Sequence, residues 1–496
     1  MTSTSDMGGR IARGFGWVGA AQIVLQLTRT VGAIIVARLL APEQYGLAML
    51  ALVFASLVLV FSDLAFGAAL VQRKEISEDD RSTAFWVTVG SGTLFTVLGV
   101  ALSGAIAALY GEPEVAGLLA LLSASFIITA LGSTHQSLLL REMAFKRTEI
   151  LGLAGAFVGT VGAVVLAVMG VGAYAIIGQQ LLTAFITTAL LWRASKWRPH
   201  FRFSRASLRD LGGFSGFLVG HRLLYYLHQN ADRFIIGRFL GVGALGSYAI
   251  AYNVMLQPVA KIAMPVQRVL APAFARMQDE PERIAAAWAR AARLVAMLAV
   301  PSLTGMIIVA PDFVPVVLGE RWNDSIPVIQ LIAWVGMLQA VQGINVDILM
   351  ARDKTNQIFA YSVGFTIAHT VAFLIGVQWG IIGVAACYAI SSTLVEPVLT
   401  WLTARALGVS PWHFVKSVLG VFQAAAVMGI VALATRLALV DAGVSPLLRL
   451  LIVGVVGAVV FGLLCLWRIP EIRRDIQSLT GKWRPVRVGA PAVAEP

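Results

Sequence analysis

Apolar residues along this chain fall into long blocks, each about the length a helix needs to cross roughly 30 Å of hydrocarbon at about 1.5 Å per residue. Short polar and basic stretches separate them. The blocks predict fourteen membrane-spanning helices, near 14–37, 46–71, 84–109, 115–139, 149–169, 171–192, 214–237, 245–267, 292–310, 326–350, 357–377, 379–403, 416–436 and 447–467. The first block is too long for a cleaved leader, carries Gln22, Gln26 and Arg29, and has no small-residue cleavage site. The expected fold class is an all-α membrane protein of about 14 transmembrane helices.

Composition supports this expectation. Of 496 residues, 58% are hydrophobic and 13% charged, with a mean hydropathy of +0.81. Soluble proteins are nearer half apolar and a quarter charged, so this chain lacks the polar surface to cover a body in water. Collagen, coiled-coil and disordered chains are excluded by the absence of a Gly-X-Y period, heptads and long polar tracts. The two cysteines, Cys387 and Cys465, lie inside apolar runs and exclude a disulfide framework and a cysteine-rich zinc site.

The formal charge of +12 would suggest nucleic acid in a soluble protein, but position explains it. Assigning the N-terminus and every second loop to the cytoplasm places 28 Lys and Arg there, against 5 opposite: Arg38, Arg238, Arg321, Arg436 and Arg449. Cytoplasmic loops retain positive charge. The expectation is a multi-pass protein of the cytoplasmic (inner) membrane with both termini cytoplasmic, and no nucleic-acid partner.

An internal duplication is legible. Ile34-Ile-Val-Ala-Arg38…Gly46 closes span 1, and Ile235-Ile-Gly-Arg238…Gly246 closes span 7, with Arg38 and Gly46 each 200 residues before Arg238 and Gly246. Gly172-Ala-Tyr-Ala175 in span 6 is echoed by Gly383-Val-Ala-Ala386 in span 12. Six spans per repeat preserve direction, so the repeats are parallel, as in many transporters. The expected organisation is a cytoplasmic N-terminus (1–13), an N-lobe (14–192), a basic cytoplasmic linker (193–213) and a C-lobe (214–405). Spans 13 and 14 (406–467) and a basic cytoplasmic tail (468–496) complete it.

Five cations remain inside the spans: Arg29, Arg222, Arg233, Lys261 and Arg268. Each costs roughly 2.5–3.5 kcal/mol at a bilayer centre, so they are expected to face a wet cavity or a partner. Arg222, Tyr226, Gln229 and Arg233 form one stripe of span 7; Gln22, Gln26 and Arg29 form the matching stripe of span 1. Span 8 adds Asn253, Gln257, Lys261 and Arg268, with Pro258 and Pro265 between them. Asp63 and Asp232 are the candidates for coupling or for ion pairs, Asp232 toward Arg233 or Arg29. Arg268 has an equally good account as a side chain snorkelling to the interface.

The substrate-binding candidates are thus Arg29, Arg222, Arg233, Lys261, Arg268, Tyr226, Gln229 and Gln257. Their positive balance suits an anion, and guanidinium forks suit phosphate oxygens. No catalytic residue and no metal site is expected. His221 and His228 lack a nearby carboxylate pair, and Gln339, Gln342, Asn345, His369 and Glu396 read best as helix-to-helix glue. Gly241-Val-Gly-Ala-Leu-Gly246 matches a dinucleotide fingerprint but follows no strand, and reads as a tight turn. There is no Walker A, H-E-x-x-H or G-x-S-x-G sequence. The basic segment Trp192-Arg193…Arg202 is a candidate for anionic lipid head groups, with positive-inside bias the simpler account.

The opening Gly14-Phe-Gly-Trp17 helix, Ala37-Arg-Leu-Leu-Ala-Pro-Glu-Gln-Tyr-Gly46, Phe61-Ser-Asp63-Leu-Ala-Phe-Gly67, Leu140-Arg-Glu-Met-Ala-Phe-Lys146-Arg and Asn230-Ala-Asp-Arg-Phe-Ile-Ile-Gly-Arg238 together carry a resemblance. The chain resembles the polysaccharide-transporter (Wzx-type) branch of the multidrug/oligosaccharidyl-lipid/polysaccharide flippase superfamily. The resemblance implies two six-helix lobes around a central cavity, with two extra C-terminal helices. It implies a flippase, not an enzyme, that moves undecaprenyl-diphosphate-linked oligosaccharide for exopolysaccharide, O-antigen or capsule-type synthesis. Implied partners are that lipid, membrane lipids, and the polymerase and glycosyltransferases of the same route. No cofactor is implied beyond a coupling ion, H+ or Na+, which no residue here identifies. Arg29, Arg222 and Arg233 are the positions that match cavity arginines of the family. The alternatives are a lipid II flippase or multidrug/ion antiporter of the same superfamily and, in another class, a membrane enzyme of lipid-linked sugar assembly.

Overall fold

The computed structural model describes residues 26, 28–62, 67, 70, 71, 73, 75–212 and 215–468, without the side chains of 57–62, 209–225, 228, 257–265, 267–269, 271, 272 and 468. Predicted segments 1–13 and the tail beyond 468 lie outside the described residues. So do Asp63 and the side chains of Arg222, Gln257, Lys261 and Arg268.

Apolar runs become helices, and local chemistry ends them. Helix α1 covers 28–39 and α2 Pro42–Ser62. Helix α3 (Glu78–Tyr110) starts on a capping box: the Asp80 N–H donates to Ser77 Oγ at 3.0 Å, and the Ser77 N–H donates to Asp80 Oδ2 at 2.9 Å. It stops at Gly111, whose φ of 71° is left-handed. Next come α4 (Glu114–Arg141), α5 (Phe145–Val168), α6 (Tyr174–Ala194), and the short α7 (Arg205–Gly212) of the basic linker. Helix α8 (Ser215–Arg276) joins predicted spans 7 and 8 and is broken only at Gly241 (φ 84°). The expected loop there is a single residue's reversal of φ, which glycine adopts at no steric cost. The chain continues with α9 (Pro281–Phe313), α10 (Ser325–Ala351), α11 (Thr355–Gly376), α12 (Gly380–Leu407), α13 (Pro411–Asp441) and α14 (Pro446–Arg468). The described residues contain no strand. Among the described residues, ten helical stretches are long and apolar enough to cross a membrane, and Thr355–Leu407 joins two of the predicted runs. The protein is an all-α, multi-pass membrane protein.

Packing divides the chain into two units. The first comprises 1–254, 314–328 and 362–391. Without a hydrophobic drive between helices in lipid, close approach at small residues does the work. A Cβ at Gly155 or Gly159 of α5 would strike Thr187 or Thr183 of α6. The duplicated glycines meet in the same way. A Cβ at Gly46 would run into the carbonyl of Val242, and one at Gly246 into the carbonyl of Pro42. Each contact is the other shifted by 200 residues, so the repeats touch through equivalent backbone.

Segment 314–324 closes the end of α1. It forms a π-helical turn (Val314–Leu318) and a 3-10 turn (Glu320–Trp322). Arg38 Nε donates to the Val317 carbonyl at 2.8 Å, and its Nη2 to that of Val316. Trp322 is fully buried, donates from Nε1 to the Ala37 carbonyl at 2.8 Å, and meets the Tyr45 ring edge-on at 5.5 Å. These contacts satisfy carbonyls that a helix C-terminus leaves without partners.

The second unit comprises 255–313, 329–361 and 392–496. Here α13 and α14 pack on α9. Asp312, 2% exposed at the end of α9, accepts a hydrogen bond from Arg436 Nε at 2.5 Å through Oδ2 and forms an ion pair with Arg449, whose Nη2 lies 2.6 Å from Oδ1. Between α10 and α12, Thr400 Oγ1 donates to Gln342 Oε1 at 2.9 Å, and Asn345 Nδ2 donates to the same oxygen. Tyr361 donates to Glu396 at 3.4 Å.

Candidate functional site

The polar stripe of predicted span 7 occupies the first half of α8, inside the first unit. Arg233 is its best-described cation. Its guanidinium stands over the Tyr252 ring at 5.6 Å, from the second half of the same helix, and Nη1 approaches Asn230 Oδ1 at 3.4 Å. No carboxylate forms an ion pair with it among the described residues, and its buried Nε meets no acceptor on the protein. A guanidinium has five donors in a rigid fork, and here part of that fork is unspent in a low-dielectric setting.

Tyrosines and amides surround it. The Tyr45 hydroxyl accepts from Asn253 Nδ2 at 3.1 Å and lies within electrostatic range of Arg233, as does Tyr226. Phe54 packs edge-on against Phe234 at 5.3 Å and Tyr110 at 5.7 Å, closing the apolar side. Thus α2 and both halves of α8 converge on one cation. The arrangement suits an anionic oxygen carried by a group with an apolar or sugar face.

The other expected residues fall as follows. Asp232, 5% exposed, accepts the Arg233 backbone N–H at 2.8 Å, faces the buried Tyr248 hydroxyl, and lies within electrostatic range of the Arg233 guanidinium without closing an ion pair with it. Tyr226, 4% exposed, donates its hydroxyl to the Val53 carbonyl at 2.6 Å and so ties α8 to α2. Gln229 and Arg29 are exposed, and Gln26 Nε2 donates to Thr30 at 3.2 Å. Sequence reasoning did not single out Tyr45, Asn230 or Tyr252. Tyr45 and Asn230 sit within the strings that carried the family resemblance, and Tyr252 stands beside Asn253 of the span 8 stripe. Their convergence on Arg233 is tertiary and leaves no periodic mark.

The family described as "Polysaccharide biosynthesis protein" matches residues 35–327, a stretch that includes α2, Arg233 and Tyr252. The chain belongs to this family. It is 30% identical over 430 residues to the teichuronic acid biosynthesis protein TuaB of Bacillus subtilis (strain 168), covering 86% of this chain and 88% of that one. It is 31% identical over 371 residues to the lipopolysaccharide biosynthesis protein WzxC of Escherichia coli (strain K12), covering 74% and 75%. Among solved structures, the lipid II flippase MurJ in an inward closed conformation superposes with a TM-score of 0.73 at 14% identity, over 93% of this chain and 99% of that one. That likeness shows a shared fold. This member of the polysaccharide biosynthesis family therefore has the fold of a flippase, and within it a tyrosine-lined arginine with donors to spare.

Proposed function

We propose that the protein is a flippase that carries undecaprenyl-diphosphate-linked oligosaccharide repeat units across the cytoplasmic membrane for extracellular polysaccharide synthesis. Both termini lie on the cytoplasmic side, where the basic loops are. Transport proceeds by alternating access, and no bond is made or broken. The carrying observation is the unspent guanidinium of Arg233 on the polar stripe of α8, next to Tyr252 and within range of Tyr45. A diphosphate supplies the acceptor oxygens that fork lacks, and charge-assisted bonds of this kind are the strong ones. The sugar follows into the polar surroundings while the polyprenyl tail stays in lipid.

The test is a leaflet-resolved assay. Fluorescent lipid-linked oligosaccharide is incorporated with the purified protein in vesicles, and outer-leaflet label is quenched at intervals. Protein-dependent loss of protection with the lipid's mass unchanged is the expected result. A product of altered mass points to an enzyme of lipid-linked sugar assembly, and no leaflet exchange overturns the reading.

A further inference from the structure

The first unit holds an open cleft of about 920 Å³ where the start of α2, the break in α8 and the start of α12 meet. It is lined by Glu43 from the first turn of α2, Ser247 from the second half of α8, and Arg321, Asn323 and Asp324 from the 3-10 segment. Leu240, Ile381 and Ile382 supply apolar wall. The transport reading leaves this cleft without a role.

The cleft is built, not incidental. The buried Trp322 indole pins the 3-10 turn to α1, and Ser325 Oγ donates back to the Trp322 carbonyl at 2.6 Å. The polar side chains on either side of Trp322 therefore stand on a fixed backbone, and pre-organisation lowers the cost of binding. The Glu43 carboxylate lies against the break in α8, where a Cβ on Gly243 would come within 3.3 Å of its Oε1. Neither Glu43 nor Asp324 forms an ion pair among the described residues, and Ser247, 4% exposed, lines the cleft.

The lining's chemistry selects the ligand. Two carboxylates against one guanidinium disfavour a phosphate, the reverse of the setting around Arg233. Acceptors (Glu43, Asp324), a forked donor (Arg321) and dual groups (Asn323, Ser247) match the alternating donors and acceptors of a sugar's hydroxyl rim. The apolar wall matches its C–H face, and the volume is within the 300–1,000 Å³ typical of small-molecule sites. The geometry points to a saccharide site: a cleft that takes the neutral sugar portion of the transported lipid. This identification of the ligand rests on the proposed transport of a lipid-linked oligosaccharide.

The experiment uses the full chain in lipid nanodiscs, with saturation-transfer-difference NMR against oligosaccharide released by hydrolysis from the polymer of the strain that encodes it. Wild type is expected to transfer saturation to ring protons, and the double variant Glu43→Gln/Asp324→Asn, with unchanged melting temperature, to bind about tenfold more weakly. Ser247→Ala serves as a milder second variant and is expected to weaken the signal in the same direction. No transfer in wild type, or equal transfer in the double variant, overturns the proposal. The leaflet assay is run on the same preparations. Lipid that crosses without saccharide binding removes the cleft and leaves the flippase. Saccharide binding lost in the double variant, with no crossing even in wild type, keeps the cleft and removes the flippase. Slower crossing in the double variant assigns the cleft to lipid-linked sugar, and unchanged crossing assigns it to free saccharide.

Discussion

The Trp322 indole donates to the carbonyl of Ala37 at 2.8 Å across 285 positions of sequence. One buried side chain thus fixes both the end of α1 and the turn that presents Arg321, Asn323 and Asp324. Trp322→Phe keeps most of the volume but strips the Ala37 carbonyl of its donor, and is expected to cost about 1–3 kcal/mol. Trp322→Ala adds a cavity and is expected to cost about 3–5 kcal/mol. Thermal unfolding of the purified protein in detergent distinguishes the two.

Asp312 sits between two arginines in the second unit and holds α13 and α14 to α9. Removing one partner of a buried ion pair leaves an uncompensated charge and costs about 3–5 kcal/mol, whereas replacing the whole set with apolar groups is often neutral. Asp312→Asn is therefore expected to lower the melting temperature strongly. The triple variant Asp312→Leu/Arg436→Leu/Arg449→Met is expected to regain most of the loss, as read by differential scanning fluorimetry.

Much of this architecture was legible along the chain because a membrane helix must satisfy its own backbone and be apolar for its full length. That is why each of the fourteen predicted runs overlaps a described helix, and why the 200-residue echo from Gly46 to Gly246 corresponds to a real contact. What depends on a single residue was less visible. Gly241 turns an expected loop into a break within α8, and the sequence pattern around it reads only as a tight turn. The stripe on span 7 identified Arg233, but its surroundings come partly from α2, and no spacing rule connects Tyr45 to Arg233. The minority-side arginines show the same limit. Counting assigned them to a side, while Arg38, Arg436 and Arg449 turn out to be held by carbonyls or by Asp312.

The start of α3 carries a pH dependence. Partial burial works to raise the Asp80 carboxyl, but the Ser207 hydroxyl, the Ser77 N–H and hydroxyl, and nearby Arg73 outweigh it and hold the group below the ordinary value of 3.8. A lowered folded value means the stabilisation is complete above the ordinary value and is lost as pH falls through the lowered one. Because Ser207 belongs to α7, acid should loosen the linker helix from α3. The melting-temperature gap between wild type and Asp80→Asn is expected to be constant well above the ordinary carboxyl value, to narrow as pH falls below it, and to close once pH is under the lowered one. A gap that persists at the acid end counts against the assignment.

Arg233 offers the most direct test of the transport reading, because its two contacts predict different losses. The contact with Tyr252 needs only a cation over a ring and contributes about 0.5–2 kcal/mol. The unspent Nε matters only to a ligand with acceptor oxygens. Arg233→Lys keeps the charge but gives up the planar fork, so it should retain its fold and lose part of its affinity for a diphosphate. Arg233→Ala removes both, and a charged hydrogen bond of about 1.5–3 kcal/mol corresponds to roughly a tenfold to hundredfold fall in affinity. Titrating undecaprenyl diphosphate against the purified variants, beside their initial flipping rates, separates the outcomes. An order of wild type, then Lys, then Ala in affinity, at matched melting temperatures, supports substrate contact. Three equal affinities with a falling melting temperature would instead make Arg233 a structural cation whose fork is satisfied in another conformation of the transport cycle.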